Sequence, residues 1–393
     1  MKWNNIGHEY DDVFEEYKRV LEKHNNRIVF FGAGNYGKKC LRRLHADFII
    51  DAFVDNDKSK EGQYINEIKV ISYEEYLKSD GYIVITVKNP ENRKALIEQL
   101  LSDGKTESDF AEWDFFFDKI YPVLLLYMYE KVYVPVVELS LTERCTLKCK
   151  KCAHGCGYVP MNMADMGVDA AEQSIDTLFR HLDRVGNFYL IGGETLLYKN
   201  LPIVLEYAGN TYRDHMENLM VSTNGTIIPS DEILEIAKRF NVMFNVSNYT
   251  KANPNLTELR NKVIDRIVSF GCRCNQFEQD RDWMDYGFDF VDRKGNVDEM
   301  TRVFDGCDTL CREIRGSRFY YCIQARAVSE NMHFNVSEDD YLDLDKLSGL
   351  EGKRIFFEYA NGFSEKGYID MCNYCNGADC KDYIIPAGEQ MPR

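Results

Sequence analysis

Positive charge is in short supply in this 393-residue chain: 48 Lys and Arg stand against 64 Asp and Glu, a formal net charge of −16. A chain that grips a nucleic-acid backbone needs clustered basic residues to displace counterions, so this balance argues against nucleic acid as a partner. The small basic group Lys38, Lys39, Arg42 and Arg43 falls at helical spacing and reads as one solvated face. Long apolar runs are missing too. The most apolar stretch, Tyr121 to Tyr129, is stopped by Glu130 and Lys131, far short of the ~20 residues that cross a bilayer. The opening MKWNNIGHEYDDVFEE is acidic and lacks the apolar core of a secretion signal. No internal repeat or low-complexity tract is visible. The expectation is a cytoplasmic chain with no membrane partner. Its length calls for two or three domains, and a hydrophobic content of 45% is ample to fill their cores.

Cysteine, by contrast, is plentiful, with thirteen in the chain. In a reducing compartment, close-set thiols are metal or iron–sulfur ligands before they are disulfides. Cys145, Cys149 and Cys152 stand together in CTLKCKKC. Three thiolates can hold a 4Fe–4S cluster while leaving one iron without a protein ligand. That vacancy is a binding site, much as catalytic metal sites keep an open position. A structural zinc site or unrelated buried thiols are the alternatives on spacing alone. The apolar run Val136 to Leu141 predicts a buried strand leading into the cysteines, and Val168 to Val185 predicts a helix, with Ile175, Leu178, Phe179 and Leu182 at helical spacing. Phe188 to Ile191 then runs into Gly192-Gly193-Glu194, Leu219 to Ser222 into Thr223-Asn224-Gly225, and Val242 to Ser247 into Asn248-Tyr249. Successive strand ends thus carry polar residues into one mouth, the face where barrel enzymes place their chemistry.

The C-x3-C-x2-C triplet, followed in order by GGE and TNG on successive βα units, resembles the radical S-adenosylmethionine (SAM) superfamily. The resemblance implies an α/β fold with a partial (β/α)6 barrel over residues 135–300. It implies that Cys145, Cys149 and Cys152 hold a 4Fe–4S cluster whose open iron chelates the amino and carboxylate groups of SAM. Gly192, Gly193 and Glu194 would hold the SAM amino group through backbone and carboxylate, and Ser222, Asn224 and Ser247 would also bind the cofactor. One position departs from the family pattern. The residue before the third cysteine is commonly aromatic and packs on the adenine, and here it is Lys151. His154 reads as a loop residue and Cys156 as a packed thiol, with spare ligands as the alternative.

Residues 1–110 read as a separate small parallel-sheet unit. Helical periodicity from Tyr10 to Lys23 precedes an apolar strand, Arg27 to Phe31. Gly32-Ala33-Gly34-Asn35-Tyr36-Gly37 fits G-x-G-x-x-G and opens a helix to about Leu44, and a second strand, Phe48 to Val54, ends in Asp55-Asn56-Asp57. Strands near Ile68 to Ile71 and Tyr82 to Val87 complete the sheet. In a dinucleotide-type fold Gly32, Gly34 and Gly37 let the backbone approach a pyrophosphate, while Asp55 reaches ribose hydroxyls. The segment resembles the truncated Rossmann-like domains beside sugar-modifying, glycosyl-transfer and polysaccharide-assembly enzymes. A domain that only docks or dimerises is the alternative. Residues 111–134 are expected as a helical connector whose aromatics pack between domains.

Six further cysteines fall late in the chain: Cys307, Cys311, Cys322, Cys372, Cys375 and Cys380. A pair, a gap and a C-x-x-C over residues 301–393 resembles the twitch domain, a trimmed relative of the SPASM module. The resemblance implies one fully ligated auxiliary 4Fe–4S cluster on Cys311, Cys322, Cys372 and Cys375, with Cys307 or Cys380 as substitutes. A zinc site is the alternative, because C-x-x-C pairs serve zinc equally well.

The superfamily's chemistry implies reductive cleavage of SAM to methionine and a 5′-deoxyadenosyl radical, which abstracts hydrogen from a substrate carbon. It also implies an external electron donor such as flavodoxin or ferredoxin. Loss of an electron to an auxiliary cluster would give an oxidised product. Return of hydrogen from a thiol would give epimerisation, and Cys272 and Cys274, on an expected strand CRCNQF, are the candidates, one facing the barrel interior. The expected activity is oxidation, epimerisation or dehydration of a sugar or nucleotide-linked small molecule. A maturase of ribosomally made peptides is the alternative. Such maturases commonly carry a winged-helix domain where this chain has its G-x-G-x-x-G unit, which favours the small molecule. A cluster protein acting only as electron carrier or sensor needs no SAM contacts, and GGE argues against it.

Overall fold

The computed structural model describes residues 1–276, 282–334 and 337–392. The chain is mixed α/β and forms two compact units, one of His8–Tyr133 and one of Met1–Gly7 with Val134–Arg393.

In the first unit six strands, β1 (Ile28–Phe31), β2 (Ala52–Val54), β3 (Tyr64–Ile65), β4 (Ile68–Ile71), β5 (Tyr82–Ile85) and β6 (Phe110–Glu112), make one sheet in the order β3-β4-β2-β1-β5-β6. All pairs are parallel except β3 with β4. Every residue of β1 and β5 is buried, as continuous apolar runs require when both faces of a parallel sheet are covered. Two features differ from the sequence expectation. Phe110–Glu112 is a sheet strand, and the helical pieces Trp113–Phe115, Phe116–Ile120 and Tyr121–Tyr129 that follow are core of this unit. Phe116, Phe117, Ile120, Tyr121, Leu124 and Leu125 cluster with Phe30, Phe48 and Phe53. The aromatics read as interdomain packing are therefore needed to cover one face of this unit's own sheet.

The second unit carries β7 (Tyr133–Thr142), β8 (Arg184–Gly192), β9 (Met216–Thr223), β10 (Met243–Val246), β11 (Arg273–Gln276), β12 (Trp283–Met284), β13 (Arg312–Arg315), β14 (Arg318–Tyr320), β15 (Tyr341–Asp343) and β16 (Ile384–Ile385). Eight of them form one sheet in the order β11-β10-β9-β8-β7-β13-β14-β15, and β12 pairs with β16. Helices Val168–His181, Leu201–Tyr212, Asp231–Arg239 and Thr257–Ser269 connect β7 to β11 in turn, giving repeated βα units. Val185, placed in a helix by periodicity, lies in β8. The sheet does not stop at residue 300: β13 pairs in parallel with β7, Glu313 opposite Glu138, and β14 and β15 extend that edge antiparallel.

Period-two alternation sets the two faces of this sheet. Val137, Leu139 and Leu141 of β7, Phe188 and Leu190 of β8, Leu219 and Val221 of β9, and Phe244 and Val246 of β10 have no exposed surface. Their alternates, including Glu138, Ser140, Asn187, Tyr189, Asn218, Ser222 and Asn245, make a polar opposite face. Among the described residues no helix is long and apolar enough to cross a membrane.

The glycine loop of the first unit yields a stability test. A Cβ on Gly37 would run into the carbonyl oxygen of Gly32, whereas one on Gly34 would meet nothing within 4 Å. Gly37→Ala should lower the unfolding free energy by about 3 kcal/mol through forced backbone shifts, and Gly34→Ala should stay within about 1 kcal/mol of wild type. Equal losses in chemical denaturation would contradict the close packing.

Candidate active site

The three clustered cysteines lie on the loop that leaves β7. Cys145 Sγ accepts hydrogen bonds from Leu147 N and Asn224 Nδ2, both at 3.4 Å. Cys149 Sγ accepts from Gln390 Nε2 at 3.2 Å. Burial pushes the thiols of Cys145 and Cys149 up to about 12. Cys152 is instead pulled down to about 6, first by a hydrogen bond from the Cys156 thiol. Cys145 and Cys149 both feel the charge of Cys152, and the hydroxyl of Tyr249, raised by burial, feels all three. The thiols therefore share one neighbourhood. Buried thiols of this kind ionise when a metal's positive charge offsets their desolvation. Among the described residues no three His, Cys, Asp or Glu side chains converge on a point where one metal ion could sit. The ligands of an iron–sulfur cluster each take a different iron and stand apart around it, so this all-thiol set fits a cluster.

The GGE segment is laced to the start of the cysteine loop. Gly193 N donates to Thr142 O at 2.8 Å, and Glu194 N donates to Arg144 O at 2.9 Å. A Cβ at position 193 would strike the carbonyl of Arg144, so the approach requires glycine. Glu194 has no exposed surface. Its Oε1 accepts from Leu196 N at 3.0 Å and Thr223 Oγ1 at 2.8 Å, and its Oε2 accepts from Asn224 N at 2.7 Å. Burial raises this carboxyl to about 7 against those three bonds. Its oxygens are committed inside the protein, joining the ends of β8 and β9.

Asn224 passes that order to the cysteines. Its Oδ1 accepts from Thr226 N at 3.0 Å and Oγ1 at 2.6 Å, which leaves Nδ2 to reach Thr146 Oγ1 at 3.0 Å and Cys145 Sγ. Ser222 is half-buried on β9 opposite Asn245 of β10. Ser247 N donates to Thr223 O at 3.0 Å and its carbonyl accepts from Arg260 Nε at 2.9 Å. Lys151 pairs with Asp285 at 3.1 Å and with Asp289, and its ammonium lies 4.7 Å from the ring centre of Phe290. An aromatic ring from another segment is thus held over that lysine.

Cys272 and Cys274 do not face the polar side of the sheet. Residues two apart on a strand share a face, so the two cannot point to opposite sides as expected, and the register of β11 with β10 decides which side they take. Cys272 Sγ donates to Leu234 O, in a connecting helix, at 3.3 Å. Cys274 stands in register with the fully buried Phe244. The expected strand end Phe277 lies outside the described residues. The polar face carries residues that motif reading missed. Asn218 Nδ2 donates to Asn187 Oδ1 at 3.0 Å and its Oδ1 accepts from Arg273 Nη2 at 3.1 Å, while Asn275 Nδ2 donates to Asn245 Oδ1 at 2.8 Å. Asparagine at alternate positions of successive strands was the available signal. Tyr249 and Gln390 left none.

Cys307, Cys322, Cys372, Cys375 and Cys380 line one enclosed cavity with Tyr286, Phe288, Phe304 and Tyr321. Cys311, an expected ligand there, is not part of that lining. Its thiol, raised by burial, feels the charge of the buried Glu138 carboxyl first and of Cys322 as well. The reason is positional: Cys311 immediately precedes β13, whose neighbour in the sheet is β7. Cys380 points its thiol at Met284 Sδ, 3.5 Å away. Arg293 steadies the C-x-x-C turn by donating to Cys372 O at 3.2 Å and Cys375 O at 2.6 Å.

In the first unit the glycine loop is closed on itself. Asp55 Oδ2 accepts from Ala33 N at 2.9 Å and Lys60 Nζ at 2.8 Å, and its Oδ1 accepts from Asp57 N at 2.9 Å. A carboxylate therefore holds a backbone donor of the glycine loop, and both oxygens of Asp55 have partners within the protein.

A family model described as C2185-like, N-terminal, matches residues 24–106. The chain is similar to the Fe-coproporphyrin III synthase of Methanosarcina barkeri (strain Fusaro / DSM 804), 24% identical over 261 residues, which cover 64% of this chain and 59% of that protein. It thus spans under two thirds of that relative's length. Among solved structures, BtrN in complex with AdoMet and 2-DOIA aligns at 13% identity over 65% of this chain and 100% of that one, with a TM-score of 0.40. Streptococcus suis SuiB bound to its precursor peptide SuiA aligns at 14% identity over 47% and 46%, with a TM-score of 0.30.

The buried carboxyl gives a pH test. Glu194 keeps its proton up to about pH 7 in the native chain, against an ordinary value of 4.5. Between those values the native state binds more protons than the unfolded one, so this contribution to stability is lost as pH rises. The unfolding free energy of wild type minus that of Glu194→Gln should fall by about 3 kcal/mol from pH 4.5 to 8. A signed difference that stays constant or rises would contradict the assignment.

Proposed function

We propose that this chain is a radical SAM enzyme acting on a small polar molecule. The observation that carries the reading is the gathering of Cys145, Cys149 and Cys152 on the loop after β7, tied by Asn224 to the strand ends that GGE and TNG close. A 4Fe–4S cluster held by these three thiolates would supply one-electron cleavage of bound SAM to a 5′-deoxyadenosyl radical. The similarity over 261 residues to an enzyme supports a catalytic role. Gly193 lets the end of β8 close against the start of the cysteine loop, and Phe290 offers an aromatic face, 55% exposed, in place of the residue replaced by Lys151.

The polar face of the sheet supports this substrate class. Asn187, Asn218, Asn245, Asn275 and Arg273 present amide and guanidinium groups, which suit a ligand rich in hydroxyls or carrying an anionic group. The sugar-like reading is kept on that ground. The nucleotide grip is not, because Asp55 would oppose a phosphate's charge, and docking is the role proposed for the first unit. For the auxiliary cluster we assign Cys307, Cys322, Cys372 and Cys375. Cys307 replaces Cys311, and Cys380 is turned toward Met284.

Anaerobic reconstitution tests both assignments. Wild type should carry about eight irons, two clusters of four, and form 5′-deoxyadenosine from SAM under strong reductant. Changing Cys145, Cys149 and Cys152 together to Ala should abolish that product and leave about four irons. Cys311→Ala should keep the full iron content, whereas Cys307→Ala should lower it. SAM cleavage by the triple variant would overturn the reading, and loss of four irons in Cys311→Ala would restore the original ligand set. Product mass after incubation with sugars, amino sugars and a peptide library identifies the substrate class, and a modified peptide would contradict the small-molecule proposal.

A further inference from the structure

The segment Gly388–Met391 is far from the cysteine loop in sequence, yet it pairs with it through an isolated antiparallel bridge. Lys150 N donates to Glu389 O at 2.6 Å, Met391 N donates to Lys148 O at 2.7 Å, and Cys149 forms an antiparallel bridge with Gln390. Lys150 Nζ and Glu389 pair at 2.6 Å. The segment is anchored from behind by Asn253 Nδ2, which donates to Gly388 O at 2.7 Å.

Within this strap, the side chain of Gln390 is oriented without ambiguity. Lys148 N donates to its Oε1 at 2.7 Å, and a backbone N–H can face only the oxygen of an amide. The nitrogen is thereby turned toward Gly388 O at 2.6 Å and Cys149 Sγ at 3.2 Å. Two amide donors therefore reach the cysteines from outside their loop, Gln390 to Cys149 and Asn224 to Cys145. The Gln390 donor depends on a segment 241 positions away.

We propose that Gln390 is a positioning residue that sets the reduction potential of the cluster carried by Cys145, Cys149 and Cys152. This rests on the reading of those cysteines given above. A hydrogen bond to a ligand sulfur stabilises the extra negative charge of the reduced state, and such bonds are among the determinants of cluster potential. Without the donor the reduced state is less favoured, and the electron that starts the reaction is harder to place. The surrounding main-chain bonds hold the strap in position, so the side-chain effect can be separated from simple loss of the segment.

The test is a redox titration of the anaerobically reconstituted full chain. It follows the electron paramagnetic resonance signal of the reduced cluster that changes when SAM is added. Gln390→Met and the shorter amide Gln390→Asn should each shift the one-electron equilibrium roughly tenfold toward the oxidised form, about 59 mV to lower potential. Asn253→Ala loosens the strap without removing a donor to sulfur and should leave the potential at the wild-type value. An unchanged potential in cluster-loaded Gln390 variants overturns the inference and leaves the cysteine assignment standing. An equal shift in Asn253→Ala reduces Gln390 to a packing role and also overturns it. If wild type shows no signal that responds to SAM, the cysteine reading fails and the inference falls with it.

Discussion

Glu194 accepts hydrogen bonds from a turn that follows β8, from the side chain that ends β9, and from the first residue beyond β9. With no exposed surface, it is the point at which the strand ends of the second unit are locked in register. A carboxylate removed from water is costly unless its oxygens are filled, and here three donors fill them. The backbone N–H of Asn224 is one of these donors, and the amide of the same residue reaches Cys145. The order imposed by a buried carboxyl is thus delivered to the cysteine loop in two steps. Gly192 and Gly193 complete the arrangement by letting GGE lie against the main chain of Thr142 and Arg144 with no intervening side chain.

The rest of the site follows from a sheet with two unlike faces. On the helix-covered face, branched and aromatic side chains exclude water and supply the stability. On the other, buried charge is balanced within the protein. Arg326, with no exposed side-chain surface, pairs with Glu313 at 2.7 Å and Glu143 at 2.6 Å and donates to Ser140 Oγ at 3.0 Å. Burying these ions gains little net stability by itself, while removing one partner would strand the others. Their presence in the middle of the sheet fits a face built to bind and orient, with Glu138, Tyr189 and the asparagine pairs beside them.

Local signals carried a good part of this into the sequence. The cysteine spacing, GGE, TNG and the apolar runs before each are short-range patterns, and the structure brings those residues to one end of one sheet. What could not be read depends on contacts between distant positions. Nothing near Gln390 marks it as a partner of Cys149. Cys311 and Cys307 are four residues apart, and only Cys307 lines the cavity of the other late cysteines, while Cys311 sits where β13 begins to pair with β7. The fate of Phe116 to Leu125 turned on which sheet needed covering, which composition does not say. The misreading of Cys272 and Cys274 had a different source, since period two already places both on one face. Asp55 kept its position at the end of β2, but its carboxylate was taken by the loop it was expected to serve.

The most direct measurement of the central claim is magnetic coupling between SAM and the cluster. With SAM labelled with nitrogen-15 at the amino group and carbon-13 at the carboxylate, electron–nuclear double resonance on the reduced wild-type chain should show hyperfine coupling from both labels. The variant lacking Cys145, Cys149 and Cys152 should show none. Absence of coupling in a wild-type chain that carries its full complement of iron would contradict the claim that these three cysteines leave one iron open to SAM.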